Sequence, residues 1–362
     1  MKQGASFLAA AVVLLLVAAG VIVGGCSAAQ PPVPAAPPQG QQPIMEPLRN
    51  CTNPHFAIFV ADSGATSMLS YDITGLSGTT NLAPLSDITG ANTKLNAPYG
   101  VAVDDDVDEY VANHGASLIT AYGWYDTGNV SPQGNITGPA VTNLNTPWNA
   151  AMDYTADTVY ALNSNKSITV YPEGVFPTPR PTQDISGANT QLNDGRGIAV
   201  DNSGGTYNED VYVTNKSGNS VLMFAKGATG NVFPIHVLSG ANTKLSSPQG
   251  VAVDGSGNVY VANQGANQVL AFSAAPSGNQ SPLRSIQGAN TGLLHPTGIT
   301  VGTPDGFNFE LIVTNQGSPP SITIYHLNDN GNVAPIATIK GAATGLVTPQ
   351  FLQYYHICNP MM

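Results

Sequence analysis

One feature constrains this chain more than any other: it repeats itself. "GANT" or a near relative stands at Gly90, Gly187, Gly240 and Gly288, with "GPAVTNL" from Gly138 and "GAATGL" from Gly341, at intervals of 48, 49, 53, 48 and 53 residues. A period near fifty residues signifies supersecondary units that bury their faces against one another. The plan is clearest in "GANTKLSSPQGVAVDGSGNVYVANQGANQVLAFSAAPSGNQSPLRSIQ", where Gly, Asn, Ser and Pro separate four β-rich runs. The pattern predicts strand a over 251–254, b over 259–262, c over 268–272 and d over 283–286. Four antiparallel strands per repeat make one propeller blade.

In these residues the chain resembles the NHL-repeat β-propellers, whose unit reads approximately P-x-G-V-A-V-D, G-N-I-Y-V-A-D and then an R-I-x-V-F-like run. "PYGVAVDDD", "GRGIAVDNS", "PQGVAVDGSGNVYVANQG" and "PTGITVG" carry the resemblance, and "PWNAAMDYTADTVYALNSN" is a weaker copy with Asn149 in place of the glycine. The match covers nearly everything from Phe56 to Tyr355. It implies an all-β, NHL-type propeller and says little about function, because such propellers include both enzymes and binding modules.

The end of the chain then falls into place. The last unit, from Gly341, supplies only a strand a ("PQFLQYY"), whereas "HFAIFVADSGATSMLSYDITGLSGTTNLAPLSDI" supplies strands b, c and d. Five complete repeats and one blade shared between the two ends make six. The shared blade lacks the turn from a to b, and Cys51 and Cys358 flank the gap. A disulfide there would replace the missing turn; two free thiols are the alternative.

An address precedes the repeats. Lys2 leads into an apolar run from Ala5 to Val23, followed by "VGGCSAAQ" and "PPVPAAPPQGQQP". The run is long enough for an uncleaved membrane helix, but the small residues closing it favour cleavage. Val23-Gly24-Gly25-Cys26 resembles a bacterial lipobox, with Gly24 where Ala or Ser is commoner. The resemblance implies a signal peptide over 1–25, lipid on Cys26, and a protein anchored to membrane on the extracytoplasmic side of the cell envelope. Ser27 would permit outer-membrane sorting in a cell with two membranes. Residues 26–50 form a Pro/Ala-rich tether, 51–358 the propeller and 359–362 a tail. With Cys26 lipidated, the other two of the three cysteines are left to pair in an oxidising compartment.

Composition narrows the partners. Charged residues are only 9%, and 22 Asp and Glu against 11 Lys and Arg give a net charge of −11. That balance repels phosphate backbones, which argues against nucleic acid.

For a propeller, function is expected near the axis on the face carrying the d-to-a and b-to-c loops. Alignment puts the starts of the six a strands there: Tyr99, Trp148, Arg196, Gln249, Thr297 and Gln350. A second ring at the ends of the b strands comprises Asp62, Asn113, Asn163, Asn215, Asn263 and Asn315. The first ring varies where the frame is constant, and its aromatic, amide and guanidinium groups suit a neutral polar or weakly anionic ligand such as a glycan or peptide. Tyr99 and Trp148 could equally plug the channel mouth. The second ring could equally be turn chemistry, because Asn and Asp bond their own backbone in tight loops.

Evidence for catalysis is thinner. His114 and His295 belong to the same face and His55 and His356 to the other, too scattered for the zinc site of propeller amidating lyases. The second ring offers Asp62 as its sole carboxylate, a poor set for the divalent cation of propeller lactonases. "DDDVDE" and "DGSGN" read as hairpin turns rather than calcium loops. With no nucleophile elbow and no phosphate-cradling glycine loop, the sequence calls for no cofactor. It therefore predicts a binding or scaffolding propeller for a glycan, peptide or protein ligand. A metal-dependent hydrolase or lyase of the lactonase or amidating-lyase kind is the alternative.

Overall fold

Runs of β-branched and small residues, as in Val251-Ala252-Val253 and Val259-Tyr260-Val261-Ala262, favour a pleated surface buried on both sides, and each ends in a turn-forming Asp or Asn. The computed structural model describes residues 54–358, Asp305 and Phe307 excepted. In it these runs pair into six sheets, each with four antiparallel strands in the order a-b-c-d; in one of them a fifth strand, Gly78–Thr80, adds in parallel to strand d at Ala337–Ile339. Blade 2 is Pro98–Val103, Glu109–Asn113, Leu118–Tyr122 and Gly134–Ile136. Blade 3 is Pro147–Asp153, Thr158–Asn163, Ser167–Pro172 and Gln183–Ser186. Blade 4 is Gly195–Val200, Val211–Asn215, Ser220–Phe224 and His236–Ser239. Blade 5 is Pro248–Val253, Val259–Asn263, Gln268–Phe272 and Arg284–Ile286. Blade 6 is Pro296–Gly302, Glu310–Asn315, Ser321–His326 and Ala337–Ile339.

Blade 1 is the shared one. Its strand a is Pro349–Cys358 from the chain's end, and Pro54–Asp62, Ser67–Asp72 and Ser86–Thr89 follow as b, c and d. The chain is thus an all-β, six-bladed propeller. In blade 5 the predicted strand a differs from the observed one, which starts at Pro248 and stops before Asp254. There the Asp254 carboxylate accepts the N–H groups of Ser256 and Asn258 and turns the chain into the hairpin. The expected signal peptide, lipidated Cys26, tether, Cys51 and tail lie outside the described residues, as does the side chain of Cys358. The register of blade 1 sets Cys358 opposite Pro54, three residues along the chain from Cys51. Among the described residues no helix is long and apolar enough to cross a membrane.

Three devices hold blade to blade. At the axis, neighbouring a strands approach backbone to backbone at the glycine of the Pro-x-Gly start. A Cβ on Gly250 would lie 2.5 Å from the Thr297 carbonyl oxygen, and one on Gly298 2.7 Å from that of Gln350. Between sheets, Val, Ile, Ala and aromatic side chains form apolar layers, each drawn from two adjacent blades. At the outer edge, in every blade but blade 3, an Asn from the c-to-d loop accepts an N–H of the preceding connector's short turn: Asn129 from Asn92, Asn231 from Asn189, Asn279 from Asn242, Asn332 from Asn290 and Asn81 from Ala343. The glycine opening that connector gives the Asn its space. Gly90 has φ 116°, and a Cβ there would sit 2.6 Å from Asn129 Oδ1. Thus the "GANT" repeat is the socket and the "GN" of the next blade the plug.

The ring closes through Asp62. Fully buried, it accepts Gly64, Ala65 and Thr348 N–H on Oδ1 and Val347 N–H on Oδ2, joining strand b of blade 1 to the connector that delivers strand a. Charge-assisted bonds of this kind are individually the strongest in the frame. Two outcomes follow for urea unfolding. Gly250→Ala should lose ~1–3 kcal/mol, because the inner strands cannot move apart. Asp62→Ala should lose roughly 3 kcal/mol by removing a buried carboxylate from four partly buried N–H groups at once. An unchanged midpoint for either variant contradicts the role given to that residue.

Candidate functional site

Strand a of each blade runs from the end of the ring that carries the d-to-a connectors and b-to-c loops toward the end that carries the a-to-b hairpins. At the connector end the expected ring of six divides in two. Tyr99, Trp148 and Arg196, on blades 2, 3 and 4, meet one another. The His114 ring stacks on Trp148 with centroids 3.4 Å apart and 17° between planes, while the Arg196 guanidinium carbon lies 3.6 Å from the indole centroid. Two groups at those distances cannot share one face of an indole, so Trp148 is sandwiched between them. Tyr99 meets Trp148 edge-on at 5.0 Å and His114 at 5.1 Å. Neither face of Trp148 is open to a ligand, and the stacking platform expected from the sequence is occupied from within.

Polar contacts fix the stack. His114 Nδ1 donates to the Thr146 carbonyl at 3.1 Å, and burial followed by the nearby Arg196 charge holds its pKa below the usual histidine value. Arg196 Nη2 pairs with Asp194 Oδ1 at 2.8 Å, and Ser217 Oγ donates to the other Asp194 oxygen. Arg196 Nε is buried without a protein partner. Lys216 stands close by, its pKa lowered by burial and then by the Arg196 charge, with Asp194 opposing. A compact cationic pair therefore sits beside an aromatic pier, in a chain whose net charge is negative.

Blades 5, 6 and 1 complete the mouth differently. Gln249, Thr297 and Gln350 are 8%, 2% and 5% exposed. Gln249 Nε2 donates to Gln264 Oε1, Gln316 Nε2 to Gln350 Oε1, and Gln350 Nε2 to Ser63 Oγ. Thr297 Oγ1 donates to the Pro349 carbonyl. These groups are already partnered and present little surface. His295 is exposed on the connector into blade 6, its backbone N–H bonded to Asn267 Oδ1. At the other end His55 pairs with Asp72 at 3.0 Å, and the His356 ring packs 5.0 Å from Phe56.

The second ring lies under the site instead of lining it. Asn113, Asn163, Asn215, Asn263 and Asn315 are all buried, and their Oδ1 atoms accept N–H groups of the connectors at Asn96, Asn145, Asn193, Ser246 and Leu294. Their Nδ2 groups are spent too, for instance on the Val111 carbonyl and Thr120 by Asn113 and on the Lys244 carbonyl by Asn263. Asp62 is the same clamp with a carboxylate. Turn chemistry describes this ring.

Charge divides between the two ends. Lys94, Lys166, Arg196, Lys216 and Lys244 belong to the connector end, whereas the hairpins carry most of the carboxylates. Among the described residues, Asp104, Asp105 and Glu173 form one group of potential cation donors, at the hairpin end and away from the stack. Burial, then Asp108 and Asp106, raises Asp104 to about 6; burial, then Asp104 and Asp105, raises Glu173 to about 7.

No family profile and no curated sequence matches the chain. Among solved structures it is similar to a chain of the nidogen/laminin complex, at 16% identity and TM-score 0.53 over 83% of this chain and 98% of that one. It is also similar to a putative 6-phosphogluconolactonase from Bacteroides uniformis, at 14% identity and TM-score 0.52 over 80% and 83% of the two chains. Virginiamycin B lyase from Staphylococcus aureus aligns at 15% identity and TM-score 0.42 over 69% and 78%. At such identities the likeness shows the fold alone: the class of this protein is the β-propeller.

The carboxyls at the hairpin end have a consequence for stability. Asp104 and Glu173 keep their protons to higher pH in the folded chain than in the unfolded one. Their contribution is therefore complete below the ordinary carboxylate range and is lost as pH rises from about 4 through about 7. Glu173→Gln should raise the thermal midpoint at alkaline pH and flatten its decline across that window. An equally steep decline in the variant means that other groups set it.

Proposed function

We propose that this chain is a lipid-anchored, extracytoplasmic NHL-type propeller that binds a carboxylate-bearing peptide or glycan segment at the connector-end mouth. The observation that carries the reading is the Arg196–Lys216 pair. Its guanidinium is held rigid by Trp148 and Asp194, while the Arg196 side chain stays 18% exposed. A planar donor fork preorganised in this way suits a carboxylate, and little side-chain entropy remains to be lost on binding. The His114–Trp148–Tyr99 pier supplies the rigidity, not a stacking surface. Anchoring rests on "VGGCSAAQPP", where the small residues before Cys26 fit cleavage and lipidation. Cys51 and Cys358 would then pair across the open turn of blade 1.

An array of acidic and neutral peptides and oligosaccharides, read on the intact mature protein, tests the site. A carboxylate-bearing binder should weaken with salt. It should also lose at least about tenfold in affinity with Arg196→Ala or Lys216→Ala, the cost of one charged contact, while the thermal midpoint holds. Binding that survives both substitutions places the site elsewhere. Mass spectrometry of the mature N-terminus, with non-reducing peptide mapping, tests the rest: diacylglycerol on Cys26 and a Cys51–Cys358 linked peptide are expected. An unmodified Cys26 or a retained leader overturns the anchor, and two free thiols overturn the link.

A further inference from the structure

The frame breaks at blade 3, and it breaks twice. Its b-to-c loop, between Asn163 and Ser167, has three residues, whereas blades 1, 2, 4 and 5 have four and blade 6 has five. Counted from its opening glycine, the connector leading into it is one residue longer than the others, and it forms an α-turn at Pro139–Thr142 where four of them form a 3-10 turn. The socket is altered as well: a Cβ on Gly138 would lie 3.1 Å from Thr178 Cγ2, where the Asn plug stands elsewhere. A short loop beside a long connector leaves a hollow, and a cavity of about 520 Å³ opens there on the connector end of blade 3. That is the size range of small-molecule sites, ~300–1,000 Å³.

We propose that this cavity binds a neutral sugar of one or two rings, separately from the Arg196 mouth. Its floor is Leu144 and Leu192, both buried, which suit the C–H face of a sugar ring. Its walls are Asn143, Asn145, Asn165, Lys166 and Asp184. Asn145 Oδ1 accepts from Ser164 Oγ and Asn165 Oδ1 from Ser167 Oγ, so these two amides offer their Nδ2 donors. Asp184 Oδ2 accepts Asn143 Nδ2 at 2.9 Å, and its other oxygen is buried without a protein partner. Vicinal hydroxyls answer such a set, each donating to a carboxylate or amide oxygen while accepting from an amide or ammonium group. Lys166 and Asp184 cancel in charge, which selects a neutral ligand over an anion. Asn145, Thr146 and Ser164, bonded to one another, separate the cavity from His114.

The test is calorimetric titration of the whole chain with glucose, galactose, mannose, N-acetylglucosamine, maltose and cellobiose. At least one should bind saturably at one site per chain. Asp184→Ala should weaken it by at least about tenfold, the loss of one charged hydrogen bond. Asn165→Trp, in an exposed loop, should abolish binding by filling the cavity. Should Asp184→Ala lower the thermal midpoint through the lost Asn143 bond, Asn165→Trp decides. Arg196→Ala should leave sugar binding unchanged, which separates this cavity from the mouth. No saturable binding by any of the six sugars, or binding that persists in Asn165→Trp, overturns the proposal. Binding lost in Arg196→Ala but kept in Asn165→Trp overturns it too, and moves the sugar to the mouth.

Discussion

A ring of sheets is stable only if it has no open seam, and everything else in this molecule depends on closing it. An unclosed propeller would expose a row of inner-strand N–H and C=O groups together with the apolar layer between two blades. The chain closes by delivering its last strand to its first sheet, so that blade 1 cannot form until both ends are in place. Asp62 makes that delivery specific. Its carboxylate gathers N–H groups from its own loop and from the arriving connector, the task that asparagine performs within every continuous blade. The substitution is intelligible: with all four bonds to donors, an acceptor-only side chain serves better than an amide, whose Nδ2 would face another donor.

The frame consumes its own polar residues. The Asp ending a strand a, the Asn ending strand b, the buried connector Thr and the Asn plug are all bonded to backbone groups that would otherwise be orphaned, and a residue so engaged has little left for a ligand. Recognition chemistry is therefore available where the repeat departs from itself. The departures cluster: Tyr99, Trp148 and Arg196 replace the small or amide residues of blades 5, 6 and 1, and blade 3 combines a shortened b-to-c loop with a lengthened connector. Mouth and cavity thus share one sector of one face.

The fold was legible because its determinant is periodic. Each blade must reproduce the same turns and close approaches, so glycine, proline and aspartate recur at fixed offsets that a single chain displays against itself. The shared blade was legible for the same reason, as a unit split between the ends. The plug was present in the same text, as the "GN" following strand c of blades 2, 4, 5 and 6, but its partner lies on the preceding connector and nothing local connects them. The sandwich on Trp148 was beyond reach, because it joins residues of three blades through side-chain rotamers. The buried Asn ring was placed at the right height, while its burial depended on how closely the connectors fold over it. The cavity left a trace in loop lengths, one residue short in 164–166 and one long in 139–146, which matters only once the frame is known.

Charge gives the ring a direction. Carboxylates gather at the hairpins, where several are buried and hold their protons upward of the usual range, and more of the cationic side chains lie at the connectors than at the hairpins, where Lys226 and Arg284 stand. Opposed fields at the two ends orient an approaching anion toward the Arg196 mouth before contact, an effect that survives at physiological salt only within about 8 Å of the surface. The first described strand begins at Pro54, at the hairpin end, because strand b of every blade starts there. The described chain therefore enters the ring at its acidic end, opposite the face that carries both proposed sites. The shared blade that closes the ring is also what fixes this polarity: had the split fallen between strands b and c, the chain would have entered beside the mouth.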